Sequence, residues 1–210
     1  MISSQNFADM LHSVSTALKV PVMVILLIMI AVTVLLIGSL IAELFTERIH
    51  LKEKLPQLLD KLRAAEIPTA ECIKKSCLLK RQKAALIELT KHPELTNVMR
   101  EALAVRLITE EQSRYDRITK ISDMIAKLGP MFGLMGTLIP LGPGIIALGQ
   151  GDTYTLSASL LIAFDTTIAG LICAAVALVI SSIRKNWYSN YMSILEMTME
   201  CILEVEKKHD

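Results

Sequence analysis

Asp165 is the residue whose placement most calls for chemistry. It is the only charged side chain from Thr153 through Ile183, a stretch otherwise built of apolar and small residues. A carboxylate inside a bilayer-spanning helix costs roughly 2.5–3.5 kcal/mol on insertion scales, so such groups face a cavity, a partner or an ion path. Thr166 and Thr167 follow it directly, and Thr137 stands in the preceding apolar run. Hydroxyls and a carboxylate can hold water and relay a proton where an apolar seam stays dry. Taken singly, each threonine has a plainer role, bonding its hydroxyl to the carbonyl one turn back. Asp165 could likewise be a packing or orientation device hydrogen-bonded to a carbonyl. Two positions apart on a helix, Asp165 and Thr167 project about 200° from one another. They do not share one axis within a single chain, so Asp165 is expected to face the preceding membrane helix or a cavity between subunits.

The elements that must position these groups are membrane helices. Val20–Ala42, Leu128–Gly151 and Thr166–Ile183 carry no charge, and about 20 apolar residues suffice to span a bilayer core. The 210 residues are 52% hydrophobic with a net charge of +1, which conceals strong segregation. Of the 22 Lys and Arg, 17 fall between Arg48 and Lys127 and four follow Ile183. Basic residues are retained on the cytoplasmic side. The expected topology is therefore an outer N-terminus, transmembrane helix one over 20–42 and a cytoplasmic helical domain over 43–127. Transmembrane helix two follows over 128–150, an outer turn with Asp152 over 151–155, transmembrane helix three over 156–183 and a cytoplasmic C-terminal helix over 184–210. Residues 1–19 lack a basic n-region. Phe7, Met10, Leu11, Val14 and Leu18 instead make an apolar face suited to an outer interfacial helix.

The cytoplasmic portion reads as a solvated helical bundle. Leu44 through Leu62 continue an amphipathic pattern past the membrane, with Pro56 a kink or break, and Pro68 opens a further helix that ends near His92-Pro93. A charge-laced helix over about 94–128 reaches Gly129-Pro130, a hinge at which the chain enters the bilayer. The residues hold no phosphate loop, metal-ligand cluster, activated nucleophile or facing pair of acids, so an enzyme is disfavoured and no cofactor, metal or nucleic-acid partner is expected. Cys72 and Cys77, five apart, have no second pair or nearby histidine to complete a zinc set.

Small residues distinguish the second and third membrane helices from the first. Gly133, Thr137, Pro140 and Gly144 recur along one stripe, with Gly136 beside them. Ala163, Thr167, Gly170, Ala174, Ala177 and Ser181 form another. Such seams let membrane helices approach closely or line a narrow passage. Helix one has none and is expected to face lipid.

These segments resemble a known family. Pro130-Met131-Phe132-Gly133-Leu134-Met135-Gly136-Thr137 is similar to the P-x-x-G-L-x-G-T signature of ExbB and TolQ proteins, and Ala163 through Leu171 resembles their A-L-x-A-T-x-x-G-L segment. The order of elements fits as well. The chain is identified as a member of the MotA/TolQ/ExbB proton-channel family, closer to ExbB and TolQ. The resemblance implies a proton-driven stator: a homo-oligomeric ring, taken to be a pentamer, around a single-pass ExbD/TolR-like membrane partner dimer. It implies an inner-membrane location and a pore-side role for Thr137 and Thr167, with Asp165 and Thr166 beside them. The family's glutamate stands five residues before the matching threonine, where this chain has Ile162; Asp165 lies about 4.5 Å further along the helix. Pro140 replaces an expected glycine, and with Pro143 should kink or shorten the outer half of helix two. The rival reading is a non-conducting membrane scaffold that recruits a cytoplasmic partner.

Overall fold

The computed structural model describes residues 2–47, 80–91 and 96–207. Among these residues there are four helices in chain order: α1 Ile2–Glu47, α2 Lys80–Thr90, α3 Asn97–Gly149 and α4 Thr153–Lys207. Among the described residues there are no strands. Three helices contain segments long and apolar enough to cross a membrane, at Ala17–Phe45, Asn97–Gly149 and Thr153–Glu204. The all-helical membrane class read from the sequence is therefore the class observed. The expected extension through Leu62, the Pro56 break, the helix opened by Pro68, the Cys72–Cys77 spacing and the end at His92-Pro93 lie outside the described residues.

α1 runs unbroken through both the expected interfacial segment and the first membrane run, with Pro21 inside it. α3 likewise passes through the expected hinge at Gly129-Pro130 and through Pro140 and Pro143 without ending before Gly149. Proline removes one backbone donor and crowds the preceding turn. In a membrane helix, neighbouring helices and local adjustments can absorb that loss, so proline alone need not end the element.

The chain divides into two compact units. The first comprises Met1–Gly38 and Lys120–Ser182. In it α1 buries Val22, Leu26, Met29, Thr33 and Leu36, one stripe at helical spacing, while Val20, Leu27 and Leu35 remain exposed. Helix one thus packs by large side chains along one face, instead of facing lipid all round. The link from α3 to α4 is very short. Gly151 adopts a φ of 81°, a left-handed conformation that glycine reaches at no steric cost. Its N–H donates to Leu148 O at 3.0 Å and that of Asp152 to Ala147 O at 2.9 Å, the Schellman pattern that closes a helix. Asp152 then begins α4 by accepting the Thr155 N–H at 3.0 Å and the Thr155 hydroxyl. Those two Thr155 bonds, the hydroxyl first, hold the Asp152 carboxyl below its ordinary value.

The second unit comprises Ser39–Thr119 and Ile183–Asp210. Its apolar core joins Ala85, Leu86 and Leu89 of α2, Ala104 of α3, and Met192, Leu195, Met199 and Ile202 of α4. Gln82 ties α2 to α4 by donating its Nε2–H to Tyr191 O at 2.9 Å. A polar knot sits beside this core. Arg184, 2% exposed, donates from Nε to Glu43 Oε2 at 3.1 Å and from Nη2 to Ser39 Oγ at 2.7 Å. Tyr188 donates its hydroxyl to Glu43 Oε1 at 2.8 Å and stacks on Tyr115 with ring centroids 4.3 Å apart.

A buried charge stripped of its partner costs about 3–5 kcal/mol, whereas replacing both partners by apolar groups is often neutral. Glu43→Ala alone is therefore expected to lower unfolding stability in detergent by about that amount. Adding Arg184→Met should recover most of the loss. Equal loss in the single and double variants would show that the pair contributes no coupling.

Candidate functional site

In the first unit, α3 and α4 lie antiparallel against each other along a line of small residues. A side-chain carbon built on Gly129 would stand 2.6 Å from Gly170 O and 2.9 Å from the Ala174 methyl. On Gly170 it would meet Gly129 O at 2.6 Å and Gly133 Cα at 2.9 Å. Nearer the turn, Gly133 faces the Thr166–Thr167 backbone at 3.5 Å, Gly136 faces the Thr166 side chain at 2.7 Å, and Gly144 faces Ser159 at 3.1 Å. Descending partner numbers along α4 give the antiparallel register. Backbones come this close only where no β-carbon intervenes.

Each sequence-predicted residue has a definite place on this pair. Gly133, Gly136 and Gly170 are buried in it, as are Ala163 at 2% and Ala174 at 7% exposure. Thr137 borders the buried stripe, half-buried, and donates its hydroxyl to Leu134 O at 2.7 Å. Thr166 packs on Gly136 and donates to Ile162 O at 3.0 Å and Ala163 O at 2.9 Å. Thr167 donates to Ala163 O at 3.1 Å. All three hydroxyl protons thus rest on carbonyls of their own helix. A threonine hydroxyl also has two acceptor lone pairs, so what these groups still offer is acceptance, from water or from a protonated donor.

Asp165 does not join the threonines. It is exposed, on the sector of α4 that also presents Leu161, Phe164, Ile168 and Ile172, each more than half exposed. The single chain brings Gly136, Thr166 and Thr167 together and turns the acid outward. Among the described residues, no group of three His, Cys, Asp or Glu side chains gathers to hold a metal ion.

Several polar residues escaped the sequence reading. Ser181 belonged to the expected small seam, but its bond partner was not foreseen: it donates to Asp123 Oδ1. Ser122, fully buried, has no hydrogen-bond partner for its Oγ. In the second unit, the Arg184–Glu43–Ser39–Tyr188 knot was also missed. Its signal was present, since Glu43 and Arg184 are the first charges after two membrane runs, at one shared edge.

A family model described as the MotA/TolQ/ExbB proton channel family matches residues 71–197, well over half of the 210. The chain belongs to this family. The matched region contains the α3–α4 pair, with Asp165 and all three threonines. The protein is accordingly a multi-pass inner-membrane protein of the proton-channel type of energy transducer, from a family that works with partner proteins in membrane complexes. Among curated proteins, none matches the chain.

The glycine contacts allow a direct test of the α3–α4 pairing. Overpacking a tight contact costs about 1–3 kcal/mol. Gly136→Ala and Gly170→Ala should each destabilise the detergent-solubilised protein by about that amount. Gly142→Ala is the control, because nothing lies within 4 Å of its added carbon. Equal tolerance of all three substitutions in thermal unfolding would contradict this packing.

Proposed function

We propose that the chain is the ring subunit of a proton-driven stator, with an outer N-terminus. Copies of it, a pentamer by resemblance, surround a single-pass ExbD/TolR-like dimer and convert proton flow into mechanical work. One observation carries the reading: Asp165 is exposed on an apolar sector of a membrane-length helix. Left against lipid, a carboxylate there costs roughly 2.5–3.5 kcal/mol. Another protein surface covering that sector removes the penalty and puts the acid at an interface, where protons can reach it. The small residues of α3 and α4 are already engaged with each other inside one chain. In this reading the path is therefore formed at the outward sector of α4 and the bordering Thr137, with a second protein as its other wall. Thr166 and Thr167 hold the acid's helix in register and supply acceptor oxygens beside the path.

The rival is a non-conducting scaffold. It is favoured by the three satisfied threonine hydroxyls, since each donor is used without any water or proton path. Isosteric substitution separates the two readings. Thr→Val keeps volume and removes the hydroxyl, and Asp165→Asn keeps size but cannot titrate.

Proton uptake by vesicles holding the chain with its partner is the measurement. The stator reading expects Asp165→Asn to assemble at the wild-type copy number and to lose at least about tenfold in flux, equivalent to 1.4 kcal/mol in the rate-limiting step. Thr137→Val and Thr167→Val should reduce flux with assembly retained. Wild-type flux in all three variants, or no flux in the unaltered complex, would favour the scaffold.

A further inference from the structure

The first unit carries another acid on the α3–α4 seam. Asp123, half-buried on α3, accepts the Ser181 hydroxyl proton at Oδ1. Ser181 is 4% exposed and belongs to the uncharged run Thr166–Ile183. One residue before the acid, Ser122 is fully buried, and its Oγ finds no hydrogen-bond partner among the described residues. A hydroxyl shut away from water without a partner is destabilising, whereas alanine in the same place carries no such penalty. Two adjacent features thus need one explanation: an acid drawn to the helix seam, and a hydroxyl with nothing to bond.

Register places this turn at the end of the pair away from Gly151. Gly136 meets Thr166, Gly129 meets Gly170 and Ala174, and Asp123 meets Ser181. Asp165 and Thr137 each stand one residue from the Gly136–Thr166 contact, on the side of the turn, and are therefore level. From Thr137 back to Asp123 is 14 residues of helix, or about 21 Å. The two acids thus bracket most of a bilayer core about 30 Å thick. Between the Ala174 and Ser181 contacts, the α4 residue on the same stripe is Ala177, fully buried. Its methyl leaves space that a larger side chain would fill. Charged side chains near this turn are few. α3 offers Lys120 and Lys127, about one turn to either side and both exposed. α4 offers none between Asp165 and Ser182, and the charges of α1 within the unit, Asp9 and Lys19, precede its membrane run.

Only a small molecule inside the packing can answer Ser122, because a side chain of another copy cannot reach an atom closed to solvent. Water has the right chemistry. It accepts the Ser122 hydroxyl proton and donates two hydrogen bonds of its own, and sites that hold internal water are polar ones. A serine oxygen has two acceptor sites and a carboxylate about four, so Ser181 and Asp123 are suitable receivers. A carboxylate next to water also exchanges protons with it. The ionised acid takes a proton from hydronium and leaves water; the neutral acid returns the proton to a second water as hydronium. No co-reactant is required, and atoms and charge balance in each direction.

We propose that Asp123, Ser181 and Ser122 form a second proton-exchange site, hydrated by a water on Ser122, at the end of the α3–α4 pair away from the turn. The inference rests on the stator reading given above, and the experiment distinguishes failure of the two. Proton uptake is measured in vesicles holding the full chain with its partner, and thermal unfolding of the chain in detergent alongside. Asp123→Asn keeps size but cannot titrate. At the wild-type copy number it should lose at least about tenfold in flux, equivalent to 1.4 kcal/mol of barrier. Ser181→Ala should keep assembly and move the pH of half-maximal flux, which a packing role would leave in place. Ser122→Ala should reduce flux and lower Tm by about 2–4 °C, as the water loses its anchor. A dry, unpartnered hydroxyl would instead give an unchanged or raised Tm. If Asp123→Asn fails to assemble, the two alanine variants, which remove no charge, decide the matter. An unaltered complex that conducts no protons overturns the stator reading and this site together. Full flux in Asp123→Asn where Asp165→Asn has lost it, or wild-type Tm and flux in Ser122→Ala, overturns this site alone.

Discussion

Backbone meets backbone where Gly129 and Gly170 face each other, and the membrane part of the protein is organised around that approach. A β-carbon on either glycine would lie 2.6 Å from the opposing carbonyl oxygen, a distance no side chain tolerates. Three further contacts, at Gly133, Gly136 and Gly144, carry the pairing towards the turn, where Gly151 and Asp152 close α3 and open α4 within three residues. In lipid there is little hydrophobic gain from burying one apolar helix against another, so close packing of small residues must supply the association. The pair is thereby fixed in rotation as well as distance, because each helix turns its glycine and other small residues to the contact.

Fixing that rotation decides where chemistry is available. With Gly136 against Thr166 and Gly133 against the Thr166–Thr167 backbone, the position one residue earlier, Asp165, has to point outward. The second unit has its own fixed point, at which Arg184, Glu43, Ser39 and Tyr188 join α1 to α4. A buried guanidinium needs both its charge partner and its remaining donors satisfied, and this one has a carboxylate and a hydroxyl within 3.1 Å. Two different devices thus hold the long helices, small-residue contact in one unit and a hydrogen-bonded ion pair in the other.

Much of this was legible in the residues, for identifiable reasons. Three uncharged runs of spanning length reported the membrane class, and glycine spacing reported which helices pack closely. The three threonines and the acid could be singled out, because polar atoms among apolar ones carry a desolvation cost wherever they sit. What periodicity could not supply was rotation at single-residue precision. Thr137 shares a stripe with Gly133 and Gly144 on paper, yet Gly136 fills the buried position and Thr137 borders it. Nor does a proline reveal whether neighbouring packing will carry a helix through it, so the expected hinge at Gly129-Pro130 became helix interior. Partners distant in sequence, such as Asp123 for Ser181, depend on the register of α3 against α4, which no local pattern encodes.

If the chain works as proposed, protein and not lipid covers the Asp165 sector of α4 in the assembly. Ile168 lies one turn along the same sector and is 56% exposed in the single chain, so a photo-crosslinking residue placed there reads what lies opposite without altering the acid. Irradiated in its native membrane, the Ile168 variant is predicted to give covalent adducts with protein, either a second copy or the partner's membrane helix. Adducts with lipid alone, from a variant that still assembles, would contradict the account.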